Sequence, residues 1–179
     1  MTNRKKLVTE MGRIDRDAFA QSQKLPLVVV LDNVRSLHNV GSVVRTSDAF
    51  RVECIMLCGI TATPPSAEIH KTALGAEDVV DWKYYESTMD AVAELRSQGY
   101  RIYSIELCQG SIALQDFVTA PGERYAVVLG NEVKGVQQDV VDASDGAIEI
   151  PQFGTKHSLN VSVTAGMVIW EFAKKLGLV

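Results

Sequence analysis

Short apolar runs alternate with stretches of helical periodicity along this chain. The first run, Leu27–Leu31, is continuous and rich in β-branched residues, which is typical of a strand buried on both faces of a parallel sheet. Asn39–Phe50 follows with apolar residues at helical spacing, and a second apolar run comes at Val52–Leu57. The order strand, helix, strand is the start of a pattern that continues along the chain.

The same alternation is predicted up to the C-terminal helix. Further strands are predicted at Val79–Tyr84, Arg101–Ile105, Tyr125–Leu129 and Gly146–Ile150. Further helices are predicted at Glu68–Ala76, at Thr88–Ser97 with Thr88 as the N-cap, and at Ser158–Leu176. Strands and helices at this spacing indicate an α/β domain with a mostly parallel sheet and flanking helices.

Length and composition are those of an ordinary globular protein. The 179 residues fit one domain with a buried core, and 46% are hydrophobic against 22% charged. The sequence has no apolar run long enough for a transmembrane helix, and its first residues lack the apolar core of a secretory signal. Its three cysteines, Cys54, Cys58 and Cys108, lack metal-ligand spacing and are interpreted as reduced thiols. We expect a cytoplasmic protein without membrane contact.

Charge is distributed unevenly. The chain carries −4 in total, but residues 1–24 hold six basic and three acidic residues, which leaves −7 for the rest. A basic arm of this kind is suited to contact phosphates, and it is equally compatible with a solvated, partly helical tail. We predict a basic N-terminal arm at 1–24 and one folded domain at 25–179.

Three segments place small and polar residues directly after predicted strands: Leu31–Phe50, Val127–Val136 and Ile150–Glu171. Ligands of open α/β sheets bind at the carboxyl ends of strands, so these segments are the candidate ligand site. In the first segment, Asn39 and Gly41 lie near a predicted helix start, where free backbone N–H groups are available to an anion.

Other residues of these segments add functional groups. Arg45 lies less than two helical turns after the asparagine and is expected to reach a phosphate at the same end of the sheet. Gly130 allows a ligand to approach the backbone closely, and Glu132 adds a carboxylate. Ser158 and Asn160 flank the start of the last predicted helix.

Taken singly, each feature has a simpler structural explanation. Asn39 or Ser158 alone would be a helix cap, Gly130–Glu132 a turn, and Arg45 a surface cation. No Gly-Lys-Ser/Thr follows a glycine at phosphate-loop spacing, and Gly-x-Gly-x-x-Gly is absent. Nucleotide sites of those two types are therefore not indicated.

Together and in this order, the three segments resemble the SpoU-type (TrmH-like) RNA 2′-O-methyltransferases of the SPOUT superfamily. NVRSLHNVGSVVRTSDAF is similar to that family's first motif, VVLGNEVKGV to its second and IPQFGTKHSLNVSVTAG to its third. HKTALGAEDVVDW is similar to the usual linker, whereas Val133 departs from the glycine common in the second motif. The resemblance covers about residues 25–176 and makes 25–179 a catalytic domain.

The resemblance implies a fold and a cofactor that apolar periodicity does not indicate. It implies a C-terminal trefoil knot, a feature almost absent from other proteins. It implies S-adenosylmethionine bound in that knot, mostly by backbone groups, at the following positions: Gly130, Ile150, Leu159, Glu106 and Leu107. It also implies a homodimer in which the partner's first segment completes the active site.

The implied reaction is methylation of a ribose 2′-hydroxyl in structured RNA, either tRNA or rRNA. The resemblance implies that Arg45 acts on that hydroxyl and that Asn39 orients Arg45 or the ribose. Glu132 and Asn160 would hold the loops and the substrate, and Ser158 would support the cofactor or substrate side. An arginine stays protonated up to about pH 12 and is a poor general base. Either the substrate phosphate activates Arg45, or Arg45 clamps the phosphate and stabilises the alkoxide while a water or another group takes the proton.

No metal is expected, because the sulfonium already activates the methyl group. The three histidines, His38, His70 and His157, are scattered, and His157 is interpreted as a loop residue rather than a base. A surface that binds RNA needs basic residues to contact the phosphates, and we call this set of residues the basic footprint. Besides the arm, we predict one from these cations: Arg35, Arg45, Arg51, Lys71 and Lys156.

Two other functions stay open at this point. One is a catalytically silent RNA-binding module on the same fold, and the other is a different α/β enzyme with a nucleotide cofactor. The presence of all five implied catalytic residues argues against the first, because a silent module has no need of them. The absence of both phosphate-loop signatures argues against the second.

Overall fold

The structure is a computed structural model that describes residues 3–156 and 158–179, so that His157 lies outside the described residues. Its strands are β1 (Leu25–Asp32), β2 (Val52–Cys58), β3 (Trp82–Tyr85), β4 (Tyr100–Ile105), β5 (Ile112–Ala113), β6 (Arg124–Leu129) and β7 (Gly146–Glu149). Its α-helices are α1 (Arg16–Gln21), α2 (Leu37–Ala49), α3 (Ala67–Ala73), α4 (Thr88–Ser97), α5 (Gln138–Ala143) and α6 (Val161–Lys175). Short 3₁₀ turns lie at Val8–Glu10 and Ala76–Asp78.

The strands form one seven-stranded sheet in the order β3-β2-β1-β6-β4-β7-β5, and every pairing in it is parallel. The predicted α/β domain with a parallel sheet and flanking helices is confirmed. Because all strands point the same way, their carboxyl ends share one edge of the sheet, where the three segments meet. The trefoil knot stays a prediction from the resemblance.

Both faces of the sheet are buried, which explains the continuous apolar run in β1. Leu27, Val29 and Leu31 point into the core formed with α2, α3 and α6, and all three are fully buried. Val28 and Val30 point into the opposite core, which the sheet forms with α4 and α5. Alternate residues of one strand therefore serve two cores, and no polar position interrupts them.

Two helices, α2 and α6, begin at residues other than those predicted, whereas α4 spans the predicted Thr88–Ser97 with a different cap. Ser36 caps α2, which begins before the predicted Asn39. Asn160 caps α6 by accepting hydrogen bonds from two backbone N–H groups, so the predicted start at Ser158 is wrong. Ser87 caps α4, and the predicted cap, Thr88, instead donates its hydroxyl proton inward.

Half of the predicted N-terminal arm packs on the domain. Phe19 of α1 is 5% exposed and belongs to the core shared with α2 and α6. Lys24 lies 3.5 Å from the centre of the Phe19 ring, and Arg16 forms an ion pair of 3.2 Å with Asp78. The boundary between an arm at 1–24 and a domain at 25–179 stays a prediction, with α1 as the docked part of the arm.

Gly41 is a packing residue of α2, which corrects its interpretation as part of an anion site. It lies in the second turn of the helix, where its N–H belongs to the helical hydrogen-bond ladder. A Cβ at this position would lie 2.1 Å from the Thr72 hydroxyl oxygen and 2.4 Å from the Ile69 carbonyl oxygen. The glycine therefore allows α3 to pack closely against α2.

Replacing Gly41 with alanine is expected to destabilise the fold. Alanine usually stabilises a helix by about 1 kcal/mol relative to glycine, but the clash with the α3 backbone is expected to cost about 1–3 kcal/mol more than that gain. Urea unfolding measures the difference. Gly154→Ala is the matched control, because a Cβ there meets no atom within 4 Å, and it is expected to change little. Equal stability of the two variants would contradict this packing role.

Candidate active site

A cavity of about 670 Å³ opens at the carboxyl ends of β4, β6 and β7. Its walls are the loops that follow these strands, 106–111, 130–137 and 150–160 without His157, which we call the rim loops. The positions expected to face a cofactor all line it: Glu106, Leu107, Gly130, Ile150 and Leu159. The structure therefore brings these five together, although they come from three distant parts of the sequence.

The charged groups that line the cavity are mainly acidic. Glu106, Glu132 and Glu149 contribute carboxylates, and Lys134 contributes an ammonium group. A cavity of this size is in the range that holds a small organic ligand. Its excess of negative charge favours a ligand with a positive centre, such as a sulfonium.

Glu132 connects the second segment to the first. One carboxylate oxygen accepts the backbone N–H of Arg35 at 2.9 Å, and the other accepts the N–H of Ser36 at 3.0 Å and the Asn39 side-chain amide at 3.1 Å. Burial raises the pKa of Glu132, but these hydrogen bonds together lower it by more, and the net result lies below the ordinary value. Glu132 is therefore held as a carboxylate over a wide pH range.

Asn39 extends the connection to the third segment. Its side-chain oxygen accepts a hydrogen bond of 3.2 Å from the Asn160 amide, while its own amide donates to Glu132. Asn160 also caps α6 through hydrogen bonds with the Ser162 and Val163 backbone N–H groups, at 2.9 and 3.4 Å. One chain of hydrogen bonds, Glu132–Asn39–Asn160, thus joins all three segments at the cavity.

Gly130 lines the cavity and also has a role in the loop itself. A Cβ on Gly130 would lie 2.1 Å from the carbonyl carbon of Gly135, because the loop folds back over it. Asn131 and Gly135 exchange backbone hydrogen bonds of 3.0 and 2.9 Å and close this turn. Glu106 fastens it by accepting the Val136 N–H at 3.0 Å. The turn exposes Val133, where the family commonly has glycine, to 78%.

Arg45 and Ser158 are not tied into this network. Ser158 lines the cavity, and its hydroxyl makes no hydrogen bond within the described residues. Arg45 is exposed on α2, six residues beyond Asn39 and about 9 Å farther along the helix axis. It neither lines the cavity of its own chain nor forms an ion pair with any described residue. The expectation that Arg45 reaches a phosphate at this end of the sheet stays a prediction, and it depends on the partner subunit that the resemblance implies.

The predicted basic footprint is only partly on one side of the molecule. Arg35 and Lys156 are exposed at the carboxyl edge of the sheet, beside the cavity. Arg51 lies at the opposite edge, where its carbonyl oxygen accepts the N–H of Leu25 at the start of β1. Lys71 is ion-paired with Glu68 at 2.6 Å. Arg51 is therefore removed from the predicted footprint.

Asp32 is a residue of the site that the sequence interpretation missed. It is fully buried at the end of β1 and accepts hydrogen bonds from the Thr88 hydroxyl at 2.6 Å and from the backbone and side-chain N–H groups of Gln137 at 2.8 Å. It thereby anchors the end of the rim loop 130–137. An acidic residue that directly ends a buried strand, as in LVVVLD, was the available signal.

The described histidines lie outside the cavity. His38 contacts Glu68 at 3.0 Å, and His70 contacts Glu77 at 2.5 Å. No group of three or more His, Cys, Asp or Glu side chains within residues 3–156 and 158–179 is arranged to hold a metal ion. In the same part of the chain, no helix is long and apolar enough to cross a membrane.

Residues 26–170 match the family model described as the SpoU rRNA Methylase family. The chain belongs to this family. A tRNA (guanosine(18)-2′-O)-methyltransferase of Aquifex aeolicus is 31% identical over 87% of the chain, and the match spans 72% of that enzyme. The 23S rRNA (guanosine-2′-O-)-methyltransferase RlmB of Vibrio parahaemolyticus is 29% identical over 96% of the chain, with 68% of its own length covered.

Solved structures agree with this SpoU assignment. An AdoMet-bound rRNA methyltransferase from Sinorhizobium meliloti superposes with a TM-score of 0.78 at 26% identity, over 89% of this SpoU chain. The match covers 59% of the solved chain, so the present chain spans little more than half the length of that enzyme. The resemblance drawn from the three motifs is confirmed.

The lowered pKa of Glu132 predicts a pH-dependent contribution to stability. The contribution is complete above the ordinary glutamate value of 4.5 and is lost as the pH falls through the lower pKa of the folded state. Glu132→Gln is expected to reduce the free energy of unfolding at pH 7 and to differ less from the natural chain at pH 3. Urea unfolding at both pH values measures this, with the exposed Glu86→Gln as control. If Glu132→Gln lowers the free energy of unfolding by the same amount at both pH values, the role of the carboxylate is contradicted.

Proposed function

We propose that this chain transfers the methyl group of S-adenosylmethionine to a ribose 2′-hydroxyl of tRNA or rRNA. The observation that carries the proposal is the hydrogen-bond network Glu132–Asn39–Asn160, which joins the first segment to the second and third segments that line an acidic cavity. The names of the relatives from A. aeolicus and V. parahaemolyticus support both the reaction and the two RNA classes.

The cavity fits the proposed cofactor. Glu106, Leu107, Gly130, Ile150 and Leu159 would hold it, mostly through backbone groups of the rim loops. The excess of carboxylates matches the positive sulfur. When bound, the cofactor supplies an activated methyl group, so that the protein needs only to position the sugar oxygen and stabilise its developing charge.

Arg45 is the group proposed to stabilise that developing charge, and its place on the surface requires a second subunit. The partner subunit's Arg45 would reach the cavity if two chains associated through α6, which packs beside α2. The exposed side of α6 carries an apolar stripe of Val163, Met167 and Trp170, each between 43% and 49% exposed. Burial of such a stripe is a common basis of a symmetric dimer.

Cations without acidic partners support an RNA substrate. Within the described residues, Arg35, Lys134 and Lys156 form no ion pair, and all three lie at or beside the cavity. An unpaired cation at the surface is available to a phosphate. Because tRNA and rRNA are the proposed substrates, we place the enzyme in the cytoplasm. Residues 25–179 would form the catalytic domain, and residues 1–24 an arm that adds cations.

Arg45→Ala is expected to lower methyl transfer by at least about 100-fold, because it removes the charge that stabilises the alkoxide. The assay measures labelled methyl groups in tRNA and rRNA from cells without this gene, digested to identify 2′-O-methylnucleosides. Calorimetry is expected to show an almost unchanged affinity for S-adenosylmethionine, and Arg51→Ala, at the opposite edge of the sheet, is expected to retain activity. Turnover near that of the natural chain in Arg45→Ala would contradict the proposed chemistry, and RNA binding without cofactor binding would indicate a silent module.

Mixing two inactive variants tests whether the site is shared between subunits. Leu159→Arg places a like charge in the sulfonium cavity and leaves Arg45 intact, whereas Arg45→Ala leaves the cavity intact. Random exchange of subunits is expected to restore about a quarter of the natural activity, because each mixed dimer has one complete site. The control is the same exchange procedure applied to each variant alone, which forms no mixed dimer. The absence of recovery despite subunit exchange, or a strictly monomeric protein at micromolar concentration, would contradict the shared site.

A further inference from the structure

Phe153 is almost completely exposed in the loop between β7 and α6, which carries several residues of the cavity lining. Its side chain is 97% exposed, more than any other large hydrophobic residue among those described. It lies in the rim loop between β7 and α6, in which Gln152 and Ser158 line the cavity. The ring is therefore open to solvent in a loop whose neighbouring residues line the cavity.

The other two rim loops also present apolar side chains to solvent. Val133 is 78% exposed at the tip of the turn after β6, and Leu107 is 54% exposed after β4. Exposed apolar residues are common when they are scattered singly. Here each of the three loops that surround one cavity exposes at least one, which indicates a surface that contacts a partner.

Two lysines give this surface its charge. Lys134 lines the cavity and Lys156 follows Phe153 by three residues, and neither forms an ion pair within the described residues. Four other lysines form ion pairs within the described residues, among them Lys83 with Glu94 at 2.7 Å and Lys174 with Glu171 at 2.6 Å. An apolar protein surface would leave the ammonium groups of Lys134 and Lys156 buried without a counter-charge, which is unfavourable.

We propose that Phe153 stacks on an unpaired base of the RNA, next to the target nucleotide, and that Lys134 and Lys156 bind the flanking phosphates. The inference rests on the proposed function, since it assigns a substrate contact at the same site. Exposed aromatic rings combined with unpaired cations are the usual means of binding single-stranded nucleic acid, because every base offers a flat face and every linkage a negative charge. Phe153 thereby acts as a positioning residue for the RNA.

Binding of an oligouridylate of about twelve nucleotides, compared with inorganic polyphosphate, separates stacking from charge. Phe153→Ala is expected to weaken oligouridylate binding about 5- to 100-fold and to leave polyphosphate binding unchanged, while Phe153→Trp retains the natural affinity. Lys134→Gln and Lys156→Gln are each expected to weaken both ligands and to reduce the salt dependence for the oligonucleotide by about 0.7. Val118→Ala is the control, since Val118 is 83% exposed before β6, away from the cavity lining.

Several outcomes would overturn the inference. The inference fails if Phe153→Ala binds oligouridylate as tightly as Val118→Ala does, or if it loses as much affinity for polyphosphate as for oligouridylate. It also fails if Phe153→Ala lowers the affinity for S-adenosylmethionine, because the ring would then cover the cofactor. Natural protein that binds oligouridylate no better than polyphosphate would also contradict stacking. The binding assay requires no turnover. Its failure is therefore distinct from failure of the proposed function, which the methyl-transfer assay measures.

Discussion

The carboxylate of Glu132 is the contact on which the geometry of the site depends. It lies on the loop after β6, and it holds the chain before α2 by two backbone N–H groups and holds α2 itself through Asn39. Asn39 in turn bonds Asn160, the cap of α6. Without this acceptor, three backbone and amide donors would need other partners, and the three loops would lose their common fixed point.

The loops around the cavity are held by hydrogen bonds to backbone groups, and this explains why several of their residues are small or serve as hydrogen-bond acceptors. Gly130 allows the turn to fold back on itself, and Glu106 holds that turn from the neighbouring loop. Asp32 anchors the far end of the same loop from within the core. A ligand held by such a frame meets preset backbone groups rather than mobile side chains. The same frame leaves Arg45 outside, so that the proposed chemistry is tied to association of two chains.

Much of the fold followed from periodicity, because the buried strands are continuous apolar runs and the long helices carry regular apolar faces. Short elements were missed: β5 has two residues and α5 has six, too few for a period to be recognised. Helix starts were misplaced where several polar residues stood close together, since Ser158 and Asn160 are both good caps and only tertiary contacts select one. The cofactor positions came from the motifs and all line the cavity, whereas Asp32 was missed because its donors lie 56 and 105 residues away in sequence. The place of Arg45 depends on a partner surface, which no local pattern encodes.

The central claim is that this cavity methylates a ribose of RNA. Mapping of 2′-O-methyl groups across total RNA, from cells with this gene and from cells without it, tests the claim most directly. The account predicts that at least one ribose mark in tRNA or rRNA disappears with the gene and returns when the natural gene is restored. An unchanged set of ribose marks, together with loss of a methyl group from a base, would contradict it.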